Sequence, residues 1–314
     1  MVLGLSAFFQ AAVAFLQFKT QTSVGLRFLG ESILSGPLSR GAGRVAVSGA
    51  AILRVYGTMP HSNILAAFLA LGLFGLYYLY LGTHSMRNRL LINVVIFFIM
   101  LALAFTFSRS GWIVFSLGTA LILALGIFNP NYRRKALGLT FSVGMTVLLL
   151  FLIFGSVILP RAHFGVGETS VQDRVLYDYI GLEVLQNHPV DGVGLGNQVL
   201  YSLDNQLYQI FGFNRSAVWQ PIHNLYLMIA VESGVLALTA FILFVLMIVW
   251  NRLIFIDLGF GVGAAILVAF LVFGLFDHFL WDLQSGELML WLIFGIMIGL
   301  GPKLNAPVNH VAQS

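Results

Sequence analysis

The stretch that decides the fold is 91-LINVVIFFIMLALAFTF-107, which Ser108-Arg109-Ser110-Gly111 separates from 112-WIVFSLGTALILALGIF-128. Each apolar run is 17 residues long, close to the roughly 20 residues that a helix needs to cross a bilayer core of about 30 Å. Two such runs joined by a short polar turn are typical of a hairpin of membrane-spanning helices. The stretch therefore predicts a protein that crosses a membrane more than once.

The composition of the whole chain indicates the same environment. Of its 314 residues, 59% are hydrophobic and 9% are charged, against roughly 25% charged residues in a soluble domain. A mean hydropathy of +0.93 leaves too little polar surface to cover the chain in water. These values exclude a soluble globular fold and intrinsic disorder.

Cysteine content and charge narrow the possible functions further. The chain has no cysteine, which excludes disulfides, thiolate metal sites, iron–sulfur clusters and cysteine nucleophiles. Its 16 basic and 12 acidic residues give a pI of about 9.5. No basic run is longer than Arg133-Arg134-Lys135, so we expect the lipid bilayer, and no nucleic acid, as the partner of these charges.

Apolar runs separated by polar residues recur along the chain. They predict an all-α, polytopic integral membrane protein, a single membrane domain over 1–314 with about eight transmembrane helices and a long extracytoplasmic loop. Met1 opens directly into an apolar run without a basic segment before it, so we expect the first span to be retained and not cleaved as a signal. The predicted spans lie near 2–18, 62–82, 91–107, 112–128, 136–158, 224–250, 258–276 and 288–300.

Basic residues in the short connections predict the orientation, because positively charged short loops stay in the cytoplasm. Such loops recur at every second connection, with Arg87 and Arg89, Arg133 to Lys135, Arg252, and Lys303. The segments 19–61 and 160–223 then face outward. The long outer loop, 160–223, exceeds what a structural connection requires and is our candidate region for substrate handling.

The second outer loop, 19–61, breaks this charge rule. Against the single acid Glu31 it has five basic residues, namely Lys19, Arg27, Arg40, Arg44 and Arg54. Anionic lipid headgroups or a phosphate-bearing substrate would balance them, and the planar guanidinium group suits phosphate. An irregular interfacial loop is the alternative.

Arg109 lies between two apolar runs, at or slightly below the predicted outer boundary of the membrane. An ionisable group at that depth is costly and normally pairs with another charge or with a ligand. We therefore predict a functional role for Arg109. The alternative is a side chain that reaches to the interface while Ser108 and Ser110 cap the turn.

The long outer loop contains 173-DRVLYDYIGLEVLQNHPVDGVGLGN-197. Asp173 and Arg174 are expected at the start of an amphipathic helix that ends at His188-Pro189. The apolar spacing that predicts this helix comes from Val175, Leu176, Ile180, Leu182 and Leu185.

Gly192, Gly194 and Gly196 follow this helix and predict a flexible turn. Backbone amides in such a turn could approach an anion, although turn formation alone also explains the glycines. They do not form a dinucleotide fingerprint, because no strand–helix–strand unit surrounds them.

His223 precedes the span 224–250, at the predicted outer mouth of the membrane domain. A neutral imidazole can accept a proton from a hydroxyl, so His223 is a candidate general base, with a helix-capping histidine as the alternative. Glu232 lies nine residues further and half a turn out of phase, so the two form no simple dyad. We predict that Glu232 makes a hydrogen bond or an ion pair between helices.

Asp277, His278 and Asp282, with His163 and His188, could in principle bind a divalent cation. No HxxxH motif and no carboxylate cluster lies on one helix face. We therefore expect neither a metal nor another cofactor.

Three stretches follow one another in the chain: FTFSRSGW (105–112), NHPVDGVGLGN (187–197) and HNLYLMIAVESGVLAL (223–238). Together they resemble the O-antigen ligase and O-antigen polymerase superfamily. A fourth, RVYGTMPHSNILAAFLALGL (54–73), is similar to the segment that precedes these motifs in that family. The resemblance extends from about residue 50 to the C-terminus.

The resemblance implies a membrane glycosyltransferase that takes a glycan from undecaprenyl diphosphate on the outer side of the bacterial inner membrane. Arg109 and Arg174 would hold the donor diphosphate, and His223 would activate the acceptor. A diphosphate is a good leaving group that needs charge neutralisation, which two arginines can supply in place of a metal. We therefore expect a metal-independent, inverting displacement.

Residues in or beside the same motifs are expected to complete the site. We predict that five contact substrate: Arg54, Ser108, His188, Asp191 and Asn224. Three more are predicted to be structural: Glu232, Gly192 and Gly194. The acceptor stays open between the lipid A core, a growing polysaccharide and a protein hydroxyl.

Members of that family usually have several more spans at the N-terminus, so we expect this chain to be a short form. Two functions of other classes are alternatives: a multi-span anion or solute transporter, and a non-catalytic part of an envelope assembly. A transporter should have repeated halves and polar or broken helices at the membrane midplane. Here the polar residues gather at the outer mouth, with Glu232 as the main exception.

Overall fold

A computed structural model describes residues 1–34, 43–47, 49–162, 169–213, 219–252 and 257–299. Its helices are α1 (Val2–Thr20), α2 (Ser62–Gly82), α3 (Met86–Phe105), α4 (Arg109–Phe128), α5 (Arg133–Ala162), α6 (Thr169–Asn187), α7 (Gln198–Asp204), α8 (Leu207–Ile210), α9 (Leu225–Arg252), α10 (Leu258–Phe273), α11 (Phe279–Asp282) and α12 (Gln284–Gly299). A 3₁₀ turn (Arg27–Leu29) and two short strands, β1 (Arg44–Val47) and β2 (Ala50–Leu53), lie between α1 and α2.

The predicted spans agree with these helices to within a few residues. Six helices are long and apolar enough to cross a membrane, namely α1, α2, α3, α4, α5 and α9. The last two predicted spans correspond to α10 and α12, which are apolar but only 16 residues long. The prediction of an all-α polytopic membrane protein is confirmed, with six long spans in the described ranges where about eight were expected.

α2 lies at the centre of the bundle. In its apolar window 78% of the residues are buried, against 39% or fewer in the other five long helices. It contacts α1, α3, α4, α5 and α10. Its sequence contains no charged residue, so every face can be buried without leaving a charge in the core. The start of α2, where His61 and Asn63 lie, is therefore held firmly between its neighbours.

The second outer loop contains a β-hairpin. β1 and β2 pair antiparallel, with Arg44 opposite Leu53. Val45 and Val47 are buried against Phe107 of the α3–α4 turn. The irregular loop considered from composition does not describe this segment, because alternating valines form a strand once one face can pack on the helices.

Two glutamines of α1 hold the end of this loop. Gln17 Nε2 donates to the carbonyl of Gly57 at 2.8 Å, and Gln17 Oε1 accepts from the backbone amides of Tyr56 and Gly57, each at 2.9 Å. Gln10 Oε1 accepts from the amide of Thr58 at 2.8 Å. Hydrogen bonds in a low-dielectric interior are stronger than in water, so the chain that leads into α2 is fixed against α1.

The long outer loop contains the predicted amphipathic helix as α6, which ends at Asn187, directly before His188-Pro189. Its buried face consists of Tyr177, Ile180 and Val184. Val175 and Leu182, which the apolar spacing placed on that face, are exposed. Each lies two residues from a buried position, about 200° around the helix, and so points the other way.

Candidate active site

A polar cavity of about 240 Å³ lies where α2, α4 and α9 begin, with α6 and the end of α5 completing its wall. Four of its lining residues are arginines, and one, Asp173, is a carboxylate. Such an excess of guanidinium groups attracts anions and favours phosphate. The lining residues are Arg54, His61, Asn63, Phe107, Arg109, Ser110, Arg161, Asp173, Arg174, Tyr177, Gln220 and His223.

Arg109 is the first residue of α4, and the cap of that helix fixes its position. Ser108 Oγ accepts from the amide of Gly111 at 3.2 Å and donates to Asn63 Oδ1 at 2.9 Å. Ser108 is buried and is not among the residues that line the cavity. Its position supports the cap that was considered as an alternative, whereas Arg109 reaches the cavity itself.

The turn between α3 and α4 orients two more arginines. The carbonyl of Thr106 accepts from Arg54 Nε at 2.8 Å, and the carbonyl of Phe107 accepts from Arg161 Nε at 3.4 Å. Phe107 has a φ of +49°, a left-handed conformation that is costly for a bulky side chain and is concentrated at functional sites. This turn brings the arginines of distant segments together.

Asn63 connects Arg54 to a buried carboxylate. Arg54 Nη2 donates to Asn63 Oδ1 at 2.7 Å, and Asn63 Nδ2 donates to Asp277 Oδ2 at 2.7 Å. Burial lowers the pKa of Arg54 to about 10, so its guanidinium is still protonated at neutral pH. Burial acts to raise the pKa of Asp277, but the nearby His278, His223, His61 and Arg174 together outweigh it and lower the pKa. Both groups are charged, and Asp277 balances part of the arginine charge.

His223 presents an unprotonated nitrogen in this cavity. Its Nδ1 lies 2.9 Å from the carbonyl of Pro221, which can only accept, so Nδ1 carries the proton and Nε2 has the lone pair. Burial, with smaller contributions from His278 and Arg174, lowers the pKa of His223 to about 4. The ring stacks on Tyr177 with centroids 5.6 Å apart. His223 is therefore neutral at pH 7 and able to accept a proton.

His61, at the start of α2, has the opposite arrangement. Its Nδ1 accepts from the backbone amide of Asn63 at 3.2 Å, so in the neutral ring the proton is on Nε2. Burial and the charge of Arg54 lower the pKa of His61 to about 4. His61 therefore contributes a neutral hydrogen-bond donor to the cavity.

α6 contributes Asp173, Arg174 and Tyr177. Residues three and four apart share one face of a helix, so these three side chains point the same way. The helix begins at Thr169, which puts Asp173 and Arg174 in its second turn and not at its start as expected. Burial raises the pKa of Asp173 and of Tyr177.

Comparison with known proteins identifies one family. Residues 94–242 match the O-antigen ligase family. This confirms the resemblance over the matched residues. The match spans a little under half of the chain. It includes Arg109, Arg174 and His223, whereas Arg54 and His61 precede it. No curated protein matches the chain.

The glycine turn packs against a break in α9. Gly234, with a φ of +81°, interrupts that helix. The amide of Val193 donates to the carbonyl of Val231 at 3.0 Å, and that of Gly194 to the carbonyl of Glu232 at 2.9 Å. The interpretation of the turn as an anion site is wrong for these two amides, because α9 already occupies them.

The close approach at this break depends on two glycines. A Cβ on Gly192 would overlap the backbone of Glu232, and a Cβ on Gly234 would overlap the carbonyl of Val190. The structure also contains the interhelical hydrogen bond predicted for Glu232, whose Oε2 accepts from Trp281 Nε1 at 3.0 Å. These positions support the structural roles expected for Gly192 and Glu232.

Like Ser108, three more residues predicted to contact substrate are not among those that line the cavity. His188 Nε2 is 3.1 Å from the hydroxyl of Tyr201 within the outer loop, and Asp191 is exposed. Asn224 caps α9, since its Oδ1 accepts from the amides two and three residues on, at 3.0 and 3.1 Å. Their contact with substrate stays a prediction.

The side chains considered as metal ligands bond to different partners. His278 Nδ1 is 2.8 Å from Asp282, while Asp277 bonds to Asn63. His163 lies outside the described residues. Across the ranges that the structure describes, no group of three His, Cys, Asp or Glu side chains is placed to hold a metal ion.

Eight lining residues are not among the predicted site residues: His61, Asn63, Arg161, Tyr177, Gln220, Phe107, Ser110 and Asp173. A signal was present for the first three. His61 and Asn63 are polar residues directly before a span, and Arg161 is a basic residue at the predicted outer end of another. Tyr177 and Gln220 gave no signal of their own.

Proposed function

We propose that this protein transfers a glycan from undecaprenyl diphosphate to a hydroxyl of the lipid A core or of a growing polysaccharide. One observation carries the proposal: four arginines line the same cavity as a neutral histidine whose Nε2 is free to accept a proton. Guanidinium groups suit a diphosphate, and a neutral imidazole suits a hydroxyl. The family match supports the same class of reaction.

In this proposal Arg109 and Arg174 hold the diphosphate, and Arg54 and Arg161 add to the positive field around it. Negative charge grows on the diphosphate as the glycosidic bond breaks. Fixed guanidinium groups stabilise that charge without having to reorganise. The reaction then needs neither a metal nor a cofactor.

His223 acts on the acceptor. Its Nε2 takes the proton of the acceptor hydroxyl as the oxygen bonds to the anomeric carbon, and the bond to the diphosphate oxygen breaks with its electron pair. Attack opposite the leaving group inverts the anomeric configuration. Bound diphosphate raises the pKa of His223, because a negative charge favours the protonated ring. Donor binding therefore strengthens the base that the acceptor needs.

We place this site on the outer face of the bacterial inner membrane. The cavity lies where α2 and α4 begin. Both helices run from there toward short connections that are followed by basic residues, Arg87 and Arg89 at the start of α3 and Arg133 at the start of α5. Short basic connections stay in the cytoplasm. The charge pattern thus supports a cavity that opens to the periplasm, where the lipid-linked donor and the acceptor meet.

The test is transfer of a labelled glycan from purified undecaprenyl-diphosphate donor by detergent-solubilised protein, with EDTA or Mg²⁺, to lipid A core or to free glycan. We expect transfer in both buffers and a loss of about 10²- to 10⁴-fold with His223→Ala. Arg109→Ala should lower the rate of transfer from the undecaprenyl-diphosphate donor. His84→Ala and Arg87→Ala, exposed at the opposite end of the bundle, are the matched controls. Undiminished transfer by His223→Ala would refute the assignment of the base.

One observation favours the transporter as a second candidate. α9 is broken beside the buried Glu232, and broken helices mark the substrate sites of carriers. The carbonyls of Val231 and Glu232 at the break are, however, bonded to the glycine turn. Uptake of a labelled sugar phosphate by reconstituted vesicles, without any glycan transfer, would favour the transporter.

A further inference from the structure

A second cavity, of about 460 Å³, lies between α11, α12 and the C-terminal half of α9, below the glycine turn. Three carboxylates line it, Glu232, Asp282 and Glu287, and no lysine or arginine is among its lining residues. We call this cavity the acidic groove. Its charge is opposite to that of the arginine-lined cavity.

Glu232 leaves one acceptor in the acidic groove unused. The side chain is only 2% exposed. Its Oε2 accepts from Trp281, whereas its Oε1 is buried and has no hydrogen-bond partner within the described part of the chain. A buried carboxylate oxygen without a donor is costly. A ligand that brings a hydroxyl or another donor would remove that cost.

The rest of the groove is aromatic and opens sideways. Phe244 packs edge-to-face with Trp291, with centroids 6.1 Å apart, and with Phe294, with centroids 5.3 Å apart. Trp291 is 62% exposed on an apolar helix, so its free face meets lipid. A site with hydrogen-bond acceptors at one end and an apolar lateral wall suits an amphiphile.

The acidic groove lies close to the proposed base. Asp282 lines the groove, and its carboxylate is 2.8 Å from His278 Nδ1. The His278 ring packs edge-to-face against His223 with centroids 5.0 Å apart. One side chain, His278, therefore connects the groove to the histidine that would activate an acceptor.

We propose that the acidic groove binds the acceptor as a glycolipid, whose sugar hydroxyls donate to Glu232 and Glu287 and whose chain lies along Phe244 and Trp291. This rests on the proposed function, because it assigns the acceptor of that reaction. The charges separate the two substrates: a diphosphate would meet three carboxylates in the groove, whereas it meets four guanidinium groups in the other cavity.

The probe is a monoglucosyl diacylglycerol with brominated acyl chains, mixed into phosphatidylcholine nanodiscs that hold the full chain. Bromine quenches tryptophan fluorescence on contact. We expect stronger quenching than with brominated phosphatidylglycerol at the same mole fraction. Glu287→Gln should weaken the apparent affinity about tenfold, and Trp291→Leu should remove the extra quenching.

Two matched variants control for general effects. Trp250→Leu, exposed near the other end of α9, and Glu183→Gln, exposed on α6, should keep the extra quenching. Glu232→Gln should weaken binding as Glu287→Gln does. If circular dichroism shows that Glu232→Gln does not fold, Glu287→Gln alone tests the proposal. Glu287 is exposed, so its substitution removes no packing.

Equal quenching by the two brominated lipids would overturn the proposal, as would stronger quenching by a brominated trimethylammonium lipid, which would make the groove a cation site. The quenching result and the glycan-transfer assay test the groove and the proposed function separately. Selective glycolipid binding without any transfer supports the groove and refutes the proposed function. Transfer without selective quenching refutes the groove alone.

Discussion

His61 and His223 line one cavity in opposite tautomers. The amide of Asn63 donates to His61 Nδ1 at 3.2 Å, which leaves the His61 proton on Nε2, whereas the carbonyl of Pro221 accepts from His223 Nδ1 at 2.9 Å and leaves Nε2 bare. Burial keeps both rings neutral at pH 7, with pKa values of about 4. The cavity therefore holds one neutral donor and one neutral acceptor, each set by a backbone partner.

The first prediction concerns the His61 donor. His61→Phe should lower kcat about tenfold or more, because a hydrogen bond to the charged leaving group is lost. His61→Gln, which keeps an N–H donor, should retain more activity. Transfer rates at saturating donor measure this. Equal losses in both variants, with unchanged melting temperatures, would remove the donor role.

The second prediction concerns the pH dependence of transfer. The rate should follow the neutral fraction of His223, so kcat/KM, which reports the free enzyme, should stay high down to about pH 4, where the pKa of His223 lies. The pH at which kcat falls should be higher than for kcat/KM, because bound diphosphate raises the pKa of His223. Rates measured from pH 3.5 to 8 test this. If kcat/KM already fell near pH 6.5, His223 would be solvated and this prediction would be wrong.

The third prediction concerns stability. In the unfolded chain His61 and His223 gain protons near pH 6.5, whereas in the folded chain both pKa values are about 4. The unfolded state thus binds more protons between these values, and the contribution of both histidines to stability falls as the pH drops from 6.5 to 4. The melting temperature of the wild type should fall more steeply over this range than that of a His61→Gln/His223→Gln double variant.

His278 acts in the other direction. Burial alone would lower its pKa, but the hydrogen bond to Asp282 and the charge of Asp277 raise it. Its contribution is therefore fully present below pH 6.5 and is lost above its folded pKa. Both proteins keep His278, so its effect cancels in the comparison. Parallel melting curves for the two proteins would contradict the buried, neutral state of the two rings.

The fourth prediction concerns the break in α9. Gly234→Ala should destabilise the protein by about 1–3 kcal/mol, because the residue has a φ of +81° and its Cβ would overlap the carbonyl of Val190. Gly75→Ala is the control, since nothing lies within 4 Å of its Cβ position in α2. That change should be neutral or stabilising by up to about 1 kcal/mol. Thermal melts in detergent measure both, and equal melting temperatures would refute the constraint at Gly234.

The sequence predicted well what depends on local pattern. The apolar runs located the helices because a span must hide its backbone groups over its whole length. Arg109 and His223 were found because polar side chains beside apolar spans are costly without a function, and Arg174 was found from the family resemblance. All three line the cavity.

The sequence predicted poorly what depends on tertiary packing. Nothing local shows that Asn63 bonds to Asp277, 214 residues away, or that Arg161 reaches the α3–α4 turn. His188 and Asp191, by contrast, were predicted to contact substrate but do not line the cavity. Both lie within the stretch 187–197 that resembles the family, but the direction in which each side chain points depends on how the glycine turn meets α9.

The bond between Asn63 and Asp277 also has a consequence for biosynthesis. The arginines of the cavity lie between residues 54 and 174, so they enter the membrane early in translation. The carboxylate that balances them is made more than 200 residues after Asn63. Until the ribosome has passed residue 277, the nascent chain holds a cluster of guanidinium groups without this counter-charge. The hydrogen-bond network around Arg54 and Asn63 can therefore be completed only after α10 has been synthesised.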